Sequence, residues 1–341
     1  MTLHSFEKVA VSSEQIERFA TAGIDWRPHR FQSLGSAGGA LRVAHAAVLL
    51  HGADLVHARS DLAAASTLLA RCPHWVWDVR SFWIDQRVAM GLVQAGSTEE
   101  RVMRLIEGRA AARSGAIVTL TAAAIPVLQQ RHGGAVAEKV RVVPTCVDLS
   151  RFTVSPMPDR KPLRVLMSGS FNPLYDLEMS VRLVRCLRER RKVDLTVLSP
   201  NPSIRDTLFG SVGATFESVP FSAMPEQVAG HHVGFGICKP EAGVELLAAA
   251  PTKLAEFLAC GRPVVVNAGL GDMQGLVEAN DCGVVVMGSS DIELVRVAGE
   301  IERLVDDPEV SERCRLVAKR HFDVDVAVEK LLELYRRAAT A

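Results

Sequence analysis

The stretch Pro251 to Val266, PTKLAEFLACGRPVVV, decides how the second half of this chain is interpreted. It predicts a short helix followed at once by a buried strand. Pro251 suits the first helical position, where its missing N–H leaves no bond unmade. Gly261 suits the residue just past the helix end, and Pro263 prevents the helix from continuing. The valines at 264–266 have the uninterrupted apolar character of a parallel strand.

Lys253 and Glu256 share one face of the first turn of this predicted helix. A helix N-terminus with a lysine attracts phosphate, and a carboxylate one turn further in accepts hydrogen bonds from a ribose diol. The same spacing is typical of an ordinary solvated ion pair on a surface helix. Spacing alone favours the ordinary pair, because such pairs are common.

Composition excludes several classes of function. The chain has 341 residues, about two domains by length, and is 48% apolar and 23% charged. Lys+Arg and Asp+Glu are both 39, so no basic field indicates a nucleic-acid partner. Seven cysteines are scattered without a C-x-x-C pair, which predicts reduced thiols in a cytoplasmic protein.

The order of apolar segments predicts an α/β fold. Strands and helices alternate from Asp54 onward, which is typical of parallel sheets with helices on both faces. The proline-containing segment 154–162 is the best domain boundary. A strand at 163–167, the turn Ser168-Gly169-Ser170 and an amphipathic helix at 177–190 then begin a second unit. Ligands in such sheets bind at the carboxyl ends of the strands.

The remaining elements follow from the same patterns. Ser12 to Gln15 fits a capping box at the start of a helix that Gly23 closes. Further strands are predicted at 3–9, 54–58, 75–79, 116–120, 140–143, 195–198, 214–219, 233–238 and 284–286. Further helices are predicted at 62–71, 98–113 and 122–131, and the segment 291–341 is predicted to be helical. The second unit therefore has a predicted six-stranded sheet.

Two segments resemble a known family. The stretch 251–266 resembles the signature P-x-K-x-x-E-Y/F-L-A-C-G-x-P-V-V of GT-B glycosyltransferases of the family-4-like group 1. Residues 138–152, EKVRVVPTCVDLSRF, resemble the family's E-K-I-x-V-I-P-N-G-V-D-x-x-x-F. The resemblance covers the chain from about Ala53 to its end. It implies two Rossmann-like domains with a cleft between them.

The resemblance also implies a division of labour along the chain. Residues 1–153 form an acceptor-side domain, 154–322 form a nucleotide-sugar-binding domain, and a C-terminal helix at 323–341 packs back on the first domain. The implied donor-binding residues are Gly169, Ser170, Lys239, Thr252, Lys253 and Glu256, with Glu256 on the ribose. Two positions depart from the family. The loop after Gly169 holds no lysine or arginine, and position 248 is Ala where relatives often carry Glu.

On the first domain, Asp78 and Arg80 are the implied catalytic residues near the reacting centre. They lie in the segment 77–88, WDVRSFWIDQRV, at a strand's carboxyl end. A structural Arg–Asp pair explains them equally simply. No metal site is predicted, because the histidines at 231–232 lack a third ligand and the D-x-D at 323–325 suits a helix start.

The resemblance thus implies a retaining, metal-independent glycosyltransferase without a cofactor. It moves a sugar from a nucleotide diphosphate sugar to a glycan, a lipid-linked sugar or a small molecule, and it stabilises the departing diphosphate electrostatically. A peripheral membrane contact and a homo-oligomer are left open. So are two other functions on the same fold: a catalytically weak or silent nucleotide-sugar-binding partner subunit, and a sugar-nucleotide epimerase.

The front of the chain bears on these alternatives. The strand at 3–9 resembles the family's second strand, so about one strand–helix unit is expected to be absent. In relatives that unit carries a glycine turn that contacts phosphates. Its absence favours the silent homologue and leaves an apolar face to be covered by a partner or a second copy.

Overall fold

The computed structural model describes residues 1–201, 203–204 and 208–340. The chain divides into two compact units. Unit 1 comprises Met1–Val79, Gln94–Ile117 and Leu334–Ala341, and unit 2 comprises Arg80–Val93 and Val118–Glu333.

Strands and helices alternate along both units. The strands are β1 (Thr2–Glu7), β2 (Asp25–Arg30), β3 (Val56–Arg59), β4 (Trp75–Val79), β5 (Ala116–Thr119), β6 (Val140–Val142), β7 (Leu163–Ser168), β8 (Val193–Leu198), β9 (Thr215–Glu217), β10 (Val233–Phe235), β11 (Val264–Asn267) and β12 (Gly283–Val286). The helices are α1 (Ser13–Thr21), α2 (Gly35–Leu49), α3 (Asp61–Ala70), α4 (Trp83–Ala89), α5 (Thr98–Arg113), α6 (Ile125–His132), α7 (Val136–Lys139), α8 (Leu177–Arg190), α9 (Met224–Ala229), α10 (Val244–Ala248), α11 (Thr252–Ala259), α12 (Met273–Asn280), α13 (Asp291–Asp306), α14 (Val310–His321) and α15 (Val324–Ala338).

The six-stranded sheet of unit 2 is doubly wound. Its order is β12-β11-β10-β7-β8-β9, and the neighbouring strands run parallel. The chain builds outward from β7 in one direction through β8 and β9. It then returns to the other side of β7 with β10, β11 and β12. The strand order therefore reverses between β7 and β10, which is where such sheets open a crevice for ligands.

Helix α11 packs closely on the centre of this sheet. Gly234 on β10 leaves room for the Phe257 ring, because a Cβ at residue 234 would lie 2.2 Å from it. Leu254 fills the matching space over Gly236, where a Cβ would lie 2.6 Å from the leucine side chain. Both large side chains are fully buried. This close packing fixes the start of α11 against the crevice.

Two smaller sheets complete the strands. A four-stranded sheet has the order β3-β4-β5-β6, and in unit 1 a parallel pair joins β1 to β2. Strands β3 and β4 are parallel, with Arg59 opposite Asp78 at their carboxyl ends. Within the described residues, none of the helices is both long and apolar enough to span a membrane.

Most predicted elements are confirmed. The bounds of β4, α5 and α8 are those expected, the six-stranded sheet is present, and Ser12 caps α1 through a capping box. The helical segment expected from residue 291 onward is present as α13, α14 and α15. Two details were wrong. Pro251 is the N-cap rather than the first residue of α11, and the helix expected at 122–131 begins with a separate turn at Ala122–Ala124.

Candidate functional site

Gly169 occupies the reversal point of the six-stranded sheet. It follows β7 directly, and its φ of +130° is a conformation that side chains rarely adopt. Its N–H is donated to the Leu198 carbonyl at 3.0 Å, so this amide is already used within the sheet. What Gly169 contributes is therefore open space beside the crevice rather than a hydrogen bond to a ligand.

The Lys253 ammonium fills the approach to that space. Its Nζ lies 3.4 Å from where a Cβ on residue 169 would be, and the residue is only 8% exposed. No hydrogen-bond partner for this Nζ exists among the described residues. Burial lowers the pKa of Lys253 to about 8, with Cys238 and Glu256 opposing that effect. A buried lysine without an acceptor requires a functional explanation, because such a group destabilises the fold.

The other donor-side candidates differ in how far they are buried. Glu256 lies further along α11 and is 7% exposed, and burial raises its pKa against the charges of Lys253 and Arg151. Thr252, the first residue of α11, is exposed, as are Ser170 and Lys239. Among these residues the structure records direct proximity for Gly169 and Lys253.

Glu245 lies three residues before Ala248, the position at which relatives often carry Glu. It lies on α10, is 4% exposed, and accepts a 2.8 Å hydrogen bond from the Phe82 N–H. Burial raises its pKa to about 7, against the effect of that hydrogen bond. Buried carboxyl groups with strongly raised pKa values are concentrated at functional sites. Its distinguishing signal is burial, which the local sequence pattern did not reveal.

In unit 1, Asp78 takes part in a chain of polar contacts. Its Oδ2 lies 3.2 Å from His57 Nε2, and His57 Nδ1 lies 3.0 Å from the Tyr335 hydroxyl. Burial raises the pKa of Tyr335, and the charge of Asp78 adds to the rise. In one tautomer of His57, Nδ1 accepts a hydrogen bond from the Tyr335 hydroxyl and Nε2 donates one to the Asp78 carboxylate. Arg80 is half-buried and follows β4 as the first residue of a unit 2 segment.

The histidines at 231–232 have structural partners. His231 Nδ1 lies 2.6 Å from the Gln227 carbonyl, and His232 Nδ1 accepts the Arg164 N–H at 2.9 Å. In the part of the chain that the structure describes, no three His, Cys, Asp or Glu side chains are grouped to hold a metal ion. Asp323 caps the start of α15 by accepting the Asp325 N–H at 3.1 Å.

Comparison of the whole structure with solved structures identifies its fold. No protein-family model matches the sequence, and no match to a curated protein is found. Sucrose-phosphate synthase from Thermosynechococcus elongatus aligns with a TM-score of 0.73 and 16% identity, over 98% of both chains. HepE from Anabaena, in complex with UDP and glucose, gives 0.69 and 17%, over 97% of this chain and 90% of HepE. WaaG, a glycosyltransferase of lipopolysaccharide biosynthesis, gives 0.62 and 15%, over 94% and 99%.

These likenesses cover nearly the full length of each chain at low identity, so they establish architecture. They do not confirm the expected absence of a first strand–helix unit or the family-4-like assignment. The parallel sheets, the alternating helices and the reversal between β7 and β10 agree with that architecture. The chain therefore has the GT-B fold, the α/β architecture of these glycosyltransferases.

Proposed function

We propose that this chain is a retaining, metal-independent glycosyltransferase that uses a nucleotide diphosphate sugar as donor. The observation that carries the proposal is the buried Lys253 ammonium, which has no hydrogen-bond partner among the described residues and lies beside Gly169 at the reversal point of the sheet. An anionic ligand at this place would supply the missing acceptor. A diphosphate is the anion expected there, because the solved structure of HepE is a complex with UDP and glucose.

The remaining donor-side residues fit the same ligand. Lys253 lies in the first turn of α11, where unpaired backbone N–H groups and the helix dipole also favour negative charge. Glu256 lies further along the same helix and is proposed to accept hydrogen bonds from a ribose diol. Ser170, Lys239 and Thr252 are exposed and available to a ligand at the rim.

The chemistry proposed for this site is electrostatic. As the bond from the sugar to the diphosphate breaks, negative charge grows on the leaving group. A lysine ammonium that is already in position stabilises this charge in a water-poor site. Asp78 and Arg80 are proposed on the acceptor side, with the acceptor a glycan, a lipid-linked sugar or a small molecule. The step as proposed needs no covalent enzyme nucleophile and no metal ion.

Nucleotide release tests this function. The purified chain is incubated with UDP-glucose and with other nucleotide sugars, and free nucleoside diphosphate is measured with and without candidate acceptors. We expect release by the wild type, a loss of at least about 10-fold in Lys253→Met, and no change in the exposed control Lys319→Met. Tight UDP binding without release would instead identify the silent homologue. Release that is equal in all three proteins would remove Lys253 from the reaction.

A further inference from the structure

The Lys253 ammonium lies near two aromatic rings. Its Nζ lies 3.7 Å from the centroid of the Tyr175 ring and 5.0 Å from that of Phe171. Both distances are within the range of an attractive cation–π contact. The two rings also contact each other edge to face, with centroids 5.8 Å apart. The positive charge therefore faces two π surfaces where an ordinary buried lysine would have a carboxylate.

The loop that carries these rings is fixed at both sides of the crevice. Phe171 is buried with a φ of +47°, a left-handed conformation that a bulky residue rarely adopts. Tyr175 and Cys238 pair through their backbones in an isolated antiparallel β-bridge. The Lys239 N–H donates to the Leu174 carbonyl at 2.7 Å. The loop after β7 is thus tied to the segment after β10. A strained backbone conformation such as that of Phe171 persists only where the surrounding structure enforces it, and such positions are concentrated at functional sites.

Three titratable groups near Lys253 bear on its charge, namely Tyr175, Cys238 and Glu256. Burial raises the pKa of the Tyr175 phenol far above its ordinary value, so this ring is neutral and attracts the cation through its π face. Burial also raises the pKa of Cys238 to about 11, which keeps that thiol neutral. Glu256 is the carboxylate whose charge favours the ammonium, and burial raises its pKa as well. These groups offset only part of the cost of burying the lysine.

We propose that Tyr175 and Phe171 are positioning residues that keep the Lys253 amine protonated and directed at the Gly169 turn while the site is empty. The diphosphate part of this inference rests on the proposed function. When the diphosphate binds, its oxygens replace the rings as the main partner of the ammonium. At a pH near the upper end of the physiological range, a Lys253 amine that has lost its proton takes one up from solvent when the diphosphate binds. Donor binding and protonation are therefore coupled.

The proposal is tested first without any ligand. The pKa of Lys253 is measured by NMR on the full chain with labelled lysine, and Lys253→Met assigns the signal. Residue 175 is then varied in shape-conserving steps, from Tyr175→Phe to phenylalanines with increasing numbers of ring fluorines, which weaken the π face. We expect Tyr175→Phe to titrate like the wild type and the fluorinated series to fall stepwise, by about one pH unit in total. A flat series would overturn the proposal.

A second measurement distinguishes a failure of the inference about the rings from a failure of the proposed function. UDP binding is followed by calorimetry at about pH 9 in two buffers with different ionisation enthalpies. We expect the binding heats in the two buffers to differ by the difference in ionisation enthalpy multiplied by the number of protons taken up, which is up to about one. Identical heats in the two buffers would contradict the coupling between binding and protonation. A complete absence of UDP binding would contradict the proposed function, and the ligand-free titration would still decide whether the rings keep Lys253 charged.

Discussion

The backbone N–H of Phe82 donates a 2.8 Å hydrogen bond to the carboxylate of Glu245. Phe82 precedes α4, and Glu245 lies on the short helix α10. Both residues are buried, so the carboxylate must be desolvated to make this contact. The result is a titratable group whose ionisation opposes folding, with a pKa raised by burial to about 7.

Glu245 should therefore lower the stability of the protein as pH rises. In the unfolded chain a glutamate ionises near its ordinary pKa, whereas the folded protein keeps the proton until about pH 7. The folded state binds more protons between these values, so the free energy of unfolding falls across that window and is constant above it. We expect a loss of about 2–3 kcal/mol in the wild type that is absent in Glu245→Gln.

The measurement is urea unfolding at about pH 5 and about pH 8. Glu245→Gln is a suitable variant because its amide oxygen can still accept the Phe82 N–H. Exposed Glu312→Gln serves as the matched control. If Glu245→Gln and the wild type lose the same stability between the two pH values, the carboxyl group titrates normally and the assignment is wrong.

Replacing Lys253 should stabilise the protein at neutral pH. Burial lowers the pKa of this lysine to about 8, so the unfolded chain binds more protons above that pH and stability rises as the lysine loses its charge. Lys253→Met removes the buried charge and retains most of the volume. We expect a gain of about 1–3 kcal/mol in the free energy of unfolding at about pH 7, which disappears at strongly alkaline pH.

Thermal and urea unfolding of the same variant check this gain, with Lys319→Met as the control. Such a gain is typical of a residue kept for activity at the expense of stability. A Lys253→Met protein that is less stable than the wild type at neutral pH would show that the ammonium has a stabilising structural partner. The proposed role as an anion-binding group would then lose its main support.

Glu256→Ala should weaken nucleotide binding without unfolding the protein. The carboxylate is buried on α11, and a hydrogen bond from a ribose diol to a charged oxygen contributes roughly 1–3 kcal/mol. We expect a corresponding fall in UDP affinity by calorimetry, and little change for pyrophosphate, which has no ribose. Equal UDP affinities in the wild type and Glu256→Ala would contradict the ribose assignment.

Sugar transfer should survive removal of divalent metal ions. The buried Lys253 ammonium supplies positive charge at the proposed diphosphate position, which is the role that a metal ion performs in other transferases. We expect unchanged nucleotide release after EDTA treatment and dialysis. Loss of turnover on chelation, restored by Mn²⁺ or Mg²⁺, would contradict the metal-independent mechanism.

The sequence predicted the fold best where its patterns are periodic. The amphipathic spacing of α8 and the glycine and proline that end α11 gave bounds close to those observed. Strand β2 and helix α2 were missed. The first carries Pro28 and several charges on an edge strand, and the second holds glycines and small residues without a clear polar face. The secondary structure of such segments is determined by tertiary packing, since their local sequence does not specify it.

The sequence proposed residues for the donor site but gave no information on their physical state. The motif singled out Lys253 and Glu256, but it could not show that the ammonium is buried against Tyr175. That contact depends on the left-handed conformation of Phe171 and on the bridge between Tyr175 and Cys238. Both arise from pairing between distant segments, and spacing along the chain contains no signal of them.

The contact between Lys253 and the donor's diphosphate is measured by calorimetric titration of UDP into the wild type and Lys253→Met. We expect the wild type to bind UDP and the methionine variant to lose roughly 10- to 100-fold in affinity, the scale of a charged hydrogen bond to phosphate in a buried site. Lys319→Met should bind as the wild type does. Equal affinity of the wild type and Lys253→Met for UDP would contradict the claim that this buried lysine holds the donor's diphosphate.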